Sequence, residues 1–373
     1  MTDQSDRTLA PPASSPPVST PAPAPGRAAG PRRRPRSFAD RLTGPHPQPG
    51  IRDIVRLVRE CAMRPPAHTL KDVALLPVEP GPLPVARPGT VSVTWAGHAS
   101  WVIGIGGLTV LTDPVWSARI PATPRRITPV GVPWQALPPV DAVVISHNHY
   151  DHLDAPTIKR LPRGTPCYVP AGLGGWFRRR GFTRVTELDW WEAAELRGVR
   201  FDFVPAHHWS RRTLTDACRS LWGGWVLADA AGHRVYFAGD SGYGRFFAEI
   251  ARAHPGIDLA LLPIGAYAPR RLLRSVHTDP EEAVQAYLDL GAAAMAPMHW
   301  ATFLLSSEPP LEPLTRLRAA WSAAGLPRSA LWDLPVGGSR VLAPKRAETR
   351  GRGPWRPGAA DKRAEEFRSP PAP

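Results

Sequence analysis

Cysteine is scarce in this chain of 373 residues, with three in all, at Cys61, Cys167 and Cys218. An odd number at wide spacing builds no disulfide framework and fits a reducing compartment. Long apolar runs are also missing. No stretch reaches the roughly 18 apolar residues of a transmembrane helix. The N-terminus lacks the apolar segment of a secretory signal. Arg32, Arg33 and Arg34 are followed by no apolar stretch either, which argues against a twin-arginine leader. A cytoplasmic protein is expected, with membrane contact limited to the inner face.

Acidic charge is in deficit. Lys and Arg number 46 against 32 Asp and Glu, a formal net charge of +14. Such an excess raises a nucleic-acid reading. Its placement weakens that reading, because residues 1–44 and 344–373 contribute +4 each and leave +6 on the rest. Both ends are rich in Pro, Ala and Arg and poor in large apolar residues, the composition of disorder. One catalytic domain with an N-terminal helical extension is expected over 45–343. No nucleic-acid module stands out within it.

Ile51–Met63 has apolar residues at helical spacing with Arg52, Arg56 and Arg59 between them. It reads as a surface helix, or alternatively as a basic membrane-facing one. From Val91 the pattern changes to short β-rich runs at 91–95, 101–105, 108–112, 142–145, 167–169, 199–204, 222–227, 234–238, 259–262, 294–297 and 340–342. Helical stretches are expected between them at 155–161, 174–180, 246–253, 280–290 and 311–324, the fourth capped by Thr278. Two sheets with helices outside follow from this alternation. No internal repeat is visible.

The chemistry concentrates in His147-Asn148-His149-Tyr150-Asp151-His152, directly after the apolar run 142–145. A single histidine is usually structural or exposed. Three imidazoles and a carboxylate in His-x-His-x-Asp-His order are instead a metal-ligand set. Further donors follow other expected strands: His208, Asp240 in Gly239-Asp240, and His299. Loops at strand ends are where a sheet scaffold assembles a site.

With these residues the chain resembles the metallo-β-lactamase superfamily. Within it, the chain is similar to the N-acyl-phosphatidylethanolamine-hydrolysing phospholipase D branch and its bacterial relatives. The flanks that carry this are Thr94-Trp95-Ala96-Gly97-His98-Ala99, Leu111-Thr112-Asp113-Pro114-Val115-Trp116, Glu187-Leu188-Asp189-Trp190-Trp191-Glu192, Pro205-Ala206-His207-His208-Trp209 and His299-Trp300-Ala301-Thr302-Phe303. The resemblance spans about 45–343 and implies an α/β fold, the αββα sandwich of two mixed β-sheets flanked by helices. It implies two zinc ions, with manganese or iron as alternatives. One is held by His147, His149 and His208, the other by Asp151, His152 and His299, and Asp240 bridges them. The family's Gln before the His-Trp pair is His207 here, which leaves His207 or His208 as the ligand; alignment on Trp209 favours His208.

The resemblance also places His277 near the metals, to position a phosphate or assist proton transfer. The alternative is a histidine beside a helix cap. Asp151, Asp240 and His277 are the expected catalytic residues. Asp113 is expected to orient a ligand histidine, or else to serve a buried structural hydrogen bond. Trp190, Trp191, Trp209, Trp222 and Trp225 read as core rather than as a lipid platform, and His46, His68, His233 and His254 as ordinary histidines. The implied reaction cleaves N-acyl-phosphatidylethanolamine, or a similar phospholipid or amphiphile, to phosphatidic acid and an N-acylethanolamine. Alternatives are a soluble sugar-phosphate lactonase or phosphate-ester hydrolase, a nuclease, and a non-catalytic basic binding protein. A homodimer is a further expectation.

Overall fold

The computed structural model describes residues 35–42, 52, 64–121, 123–342 and 344–345. The expected helix at 51–63 therefore lies outside the described residues except for Arg52, and so do most residues of both tails and Cys61.

Alternation along the strands explains the layers. In β3 (Leu108–Thr112), Leu108 and Val110 enter one hydrophobic cluster and Leu111 the other. In β4 (Ala142–Val144), Ala142 and Val144 face the first cluster and Val143 the second. Successive side chains point to opposite faces, so a strand that is apolar on both needs a cover on both. The larger cluster joins the two sheets. The smaller one is closed by Ile158 of α1 (Ala155–Arg160) and Phe177 of α2 (Gly174–Arg178).

The first sheet adds β1 (Val91–Gly97), β2 (Ser100–Ile105), β5 (Cys167–Pro170), β6 (Val185–Leu188) and the last strand, β13 (Ser339–Leu342), in the order β13-β1-β2-β3-β4-β5-β6. The second holds β7 (Ala193–Leu196), β8 (Val199–Val204), β9 (Gly224–Ala228), β10 (Arg234–Phe237), β11 (Leu259–Pro263) and β12 (Ala294–Met298), in the order β12-β11-β10-β9-β8-β7. Both are mixed. β1 to β3 pair antiparallel and β3 to β6 parallel, while β7 to β10 pair antiparallel and β10 to β12 parallel. Against β11 of the second sheet packs α5 (Pro280–Leu290), flanked by α3 (Phe246–Ala253) and α6 (Glu312–Ala323), and a single turn, α4 (Arg270–Leu273), precedes it in the chain. The αββα architecture is thus present.

Three expectations change. Residues 35–42, counted with the disordered tail, are ordered: Phe38 is buried and its N–H donates to the Cys218 carbonyl at 2.7 Å. Arg41 holds the same stretch, 3.5 Å from the Asp189 carboxylate and over the Trp190 ring at 5.1 Å. The cap of α5 is Asp279, whose side chain accepts from Glu282 N at 2.9 Å, while Thr278 donates its hydroxyl to the Pro263 carbonyl. The edge strands β6 and β7 had not been anticipated, and neither had the short α4.

Candidate metal centre

Every expected donor lies just beyond the C-terminal end of a strand. The loop 147–153 follows β4, His208 follows β8, Asp240 follows β10 and His299 follows β12. β8, β10 and β12 run in one direction, so their ends converge. The 147–153 loop turns tightly, with Leu153 N donating to His149 O at 2.8 Å, and this turn brings Asp151 and His152 back toward His147.

Two groups of donors result. His147 Nε2, His149 Nδ1 and His208 Nε2 form the first, with separations from His149 Nδ1 of 2.8 and 3.2 Å. In the second, Asp151 Oδ2 lies 3.4 Å from both His152 Nε2 and His299 Nε2. Asp240 stands between them. Its carboxylate is 3.0 Å from His152 and His299 and 3.8–3.9 Å from His208 and His147. His152 Nε2, His299 Nε2 and Asp240 Oδ1 are buried without a hydrogen-bond partner among the described residues. Burying unpartnered polar atoms is costly. Donors that crowd together while their lone pairs go unused are the arrangement a cation satisfies, so this set fits two metal ions.

The rear nitrogens of three rings, those of His147, His152 and His208, are tied down. Asp113, fully buried, accepts from His152 Nδ1 at 2.7 Å and from Ser146 N at 2.7 Å. It also accepts from the Ser146 hydroxyl, which in turn accepts from His147 Nδ1 at 2.9 Å. His208 Nδ1 donates to the Val276 carbonyl at 3.0 Å. Each bond puts the proton on the rear nitrogen and leaves the front lone pair free.

The electrostatics divide the histidines. Burial lowers His147 well below the usual imidazole range, His149 to about 4, and His208 and His277 to about 3. Burial also opposes charge on His299, but the Asp240 and Asp151 carboxylates outweigh it and raise the group to about 9. His152 is raised for the same reason. Asp151 and Asp240 stay well below the usual carboxylate range, since the His152 charge overcomes their desolvation.

Geometry separates His207 from His208. His207 turns away, onto Phe246 at 4.7 Å and the Tyr243 carbonyl at 3.3 Å. His277 comes within 4.0 Å of Asp240 and belongs to neither triad. Trp222 and Trp225 are core, but Trp209 sits edge-on against His149 at 5.0 Å. Ser146 and the Val276 carbonyl were missed. Ser146 could have been noted as the residue directly before His147, whereas a backbone carbonyl leaves no trace in sequence. Arg212 was missed as well. Its guanidinium donates to the carbonyls of Asn148 at 3.1 Å and Leu153 at 2.7 Å, bracing both ends of the ligand loop.

Comparison with known proteins agrees with this fold. Residues 109–300 match the model of the β-lactamase superfamily domain. An uncharacterised protein of Mycobacterium tuberculosis is 41% identical over 70% of this chain and 73% of its own length. N-acyl-phosphatidylethanolamine-hydrolyzing phospholipase D 1 of Caenorhabditis elegans is 36% identical over 62% of this chain and 69% of its own. Among solved structures, a possible metal-dependent hydrolase of Veillonella parvula superposes with a TM-score of 0.57 at 16% identity, over 68% of this chain and all of its own. The chain belongs to the metallo-β-lactamase superfamily and is one of its metal-dependent hydrolases.

Proposed function

We propose that this protein is a dinuclear phosphodiesterase of the phospholipase D type. Its substrate would be N-acyl-phosphatidylethanolamine or a similar phospholipid, and its products phosphatidic acid and an N-acylethanolamine. The observation that carries the hydrolytic reading is the pair of donor triads around Asp240. His147, His149 and His208 would hold one cation, Asp151, His152 and His299 the other, and Asp240 both. Imidazole and carboxylate donors without a thiolate suit zinc, and also manganese or iron. Two such cations supply a water that ionises near neutral pH and positive charge for the phosphoryl oxygens.

The remaining work falls to the chain. Asp151 and Asp240, held ionised, accept the hydrogens of the attacking water and orient it toward phosphorus. His277 is 13% exposed, so it reaches a substrate laid over the donors. As a neutral imidazole it donates an N–H hydrogen bond to a phosphoryl oxygen, or takes a proton from the attacking water at its free nitrogen and hands that proton on to the departing alcohol. Beside His299 lies a small surface cleft lined by Phe303, Leu304, Leu305 and Pro309 together with Ser306 and Glu308. The name of the Caenorhabditis elegans relative supports the same substrate class. No helix among the described residues is long and apolar enough to cross a membrane, so lipid would be met at the protein's surface.

The test is metal content together with turnover of N-acyl-phosphatidylethanolamine in mixed micelles, for wild type and Asp240→Asn. Two metals per chain, with phosphatidic acid formed only by the wild type, are expected. A metal-loaded wild type that leaves the lipid intact while opening soluble lactones or phosphate esters would overturn the lipid reading and keep the hydrolase.

A further inference from the structure

We infer that His98 is the positioning residue of the second metal, fixing Asp151 through its ring and His299 through its backbone. The inference rests on the dinuclear reading above. His98 sits in the turn between β1 and β2 at φ +54°, a conformation that costs a non-glycine residue energy and persists only where its surroundings impose it. Its N–H donates to Thr302 Oγ1 at 2.7 Å. Its carbonyl accepts from Trp95 Nε1 at 2.8 Å and from the His299 N–H at 3.1 Å. The ring, almost fully buried, lies tilted against the His299 ring at 4.1 Å between centroids and donates from Nε2 to Asp151 Oδ2 at 3.0 Å.

These contacts select one triad. His98 bonds to two of the three donors in the second group, and none of its hydrogen bonds reaches His147, His149 or His208. The oxygen that His98 holds, Asp151 Oδ2, is the one facing His152 and His299, and a carboxylate oxygen that accepts one N–H is fixed in place while keeping a further lone pair for a cation. Removing such an outer partner typically weakens a metal by about 10–100-fold. The weakening here falls on one metal of the pair, because the first triad has its own supports in Ser146 and Val276. Two rival roles exist for His98. As a direct ligand it would need an imidazole. As a purely structural residue it would affect both metals alike.

The experiment compares wild type, His98→Phe and His98→Gln. The phenyl ring fills the same space without an N–H, and the glutamine amide restores a donor near Nε2. Zinc is counted in each chain, its stepwise affinity is measured by chelator competition, and the melting temperature of the metal-free form is followed. The expected result is two zinc ions in the wild type. In His98→Phe one zinc stays tight and the other is weakened by about 10–100-fold, and in His98→Gln the second returns to within about tenfold of wild type. Unchanged affinity in His98→Phe overturns the inference, as does equal loss of both metals. If His98→Phe does not fold, His98→Gln decides alone: a second zinc weakened beyond tenfold overturns it. A wild type that takes up fewer than two zinc ions removes the dinuclear reading and this inference with it.

Discussion

A histidine that binds a metal must offer a lone pair, so its proton has to sit on the other ring nitrogen. His147, His152 and His208 meet this condition through Ser146, Asp113 and the Val276 carbonyl. The histidines of the site also dictate the pH behaviour of the metal-free protein. His149 and His208 titrate at about 4 and about 3 in the fold, against an ordinary 6.5. Between those values the unfolded chain binds more protons, so stability climbs as pH rises toward 6.5. His299 has the opposite sign. Its folded value of about 9 gives stability that is complete below 6.5 and lost as pH rises through 9. Metal-free protein is therefore expected to be most stable near pH 6.5, in denaturant melts across pH 4–10. A cation bound by His152 and His299 would displace their protons, so loaded protein is expected to lose the alkaline decline. A metal-free profile that rises steadily to pH 9 would show that these two imidazoles are not protonated in the fold.

Turns at strand ends convert this chemistry into geometry. Gly239, between β10 and Asp240, has φ +62°, and a Cβ there would lie 2.5 Å from the Ser146 Cβ and 3.1 Å from the Gly223 carbonyl. The Gly-Asp pair is thus required twice, once for the backbone and once for the close approach of the Ser146 strand end. Gly239→Ala is expected to cost about 2 kcal/mol in denaturant titration and to weaken metal binding through displaced Asp240. A variant with unchanged stability and affinity would mean that the turn relaxes freely. Strands β6 and β7 carry no comparable signal. The first reads Val-Thr-Glu-Leu and the second Ala-Ala-Glu-Leu, both short and partly exposed at sheet edges. Alanine and glutamate are weak strand formers, so pairing with β5 and β8 makes them strands.

At the scale of the molecule, strand order repeats although the sequence shows no repeat. β1 to β6 and β7 to β12 each begin antiparallel and end parallel, and β13 returns to β1. Strand pairing depends on backbone bonds and an alternating pattern, which unrelated side chains can satisfy. The boundary of this unit is set by Phe38, buried in the core that joins the sheets. A chain that begins at Pro35 is expected to melt with the full-length protein, whereas Phe38→Ala should lose about 3–5 kcal/mol. If Phe38→Ala melts with the wild type, the unit begins later, as composition alone suggested.

The sequence by itself determined the strand and helix order from β1 to β5 and the cluster His147, His149, Asp151 and His152, because alternation, helical spacing and a dense His-x-His-x-Asp-His run are local signals. Tertiary structure decided what locality cannot express. It selected His208 over His207, since adjacent residues on an extended segment point to opposite sides and only one side faces the donors. It brought Asp113 behind His152 and His98 beside Asp151 across turns far apart in the chain. It also anchored Phe38, because burial depends on the surface a residue meets rather than on its neighbours in sequence.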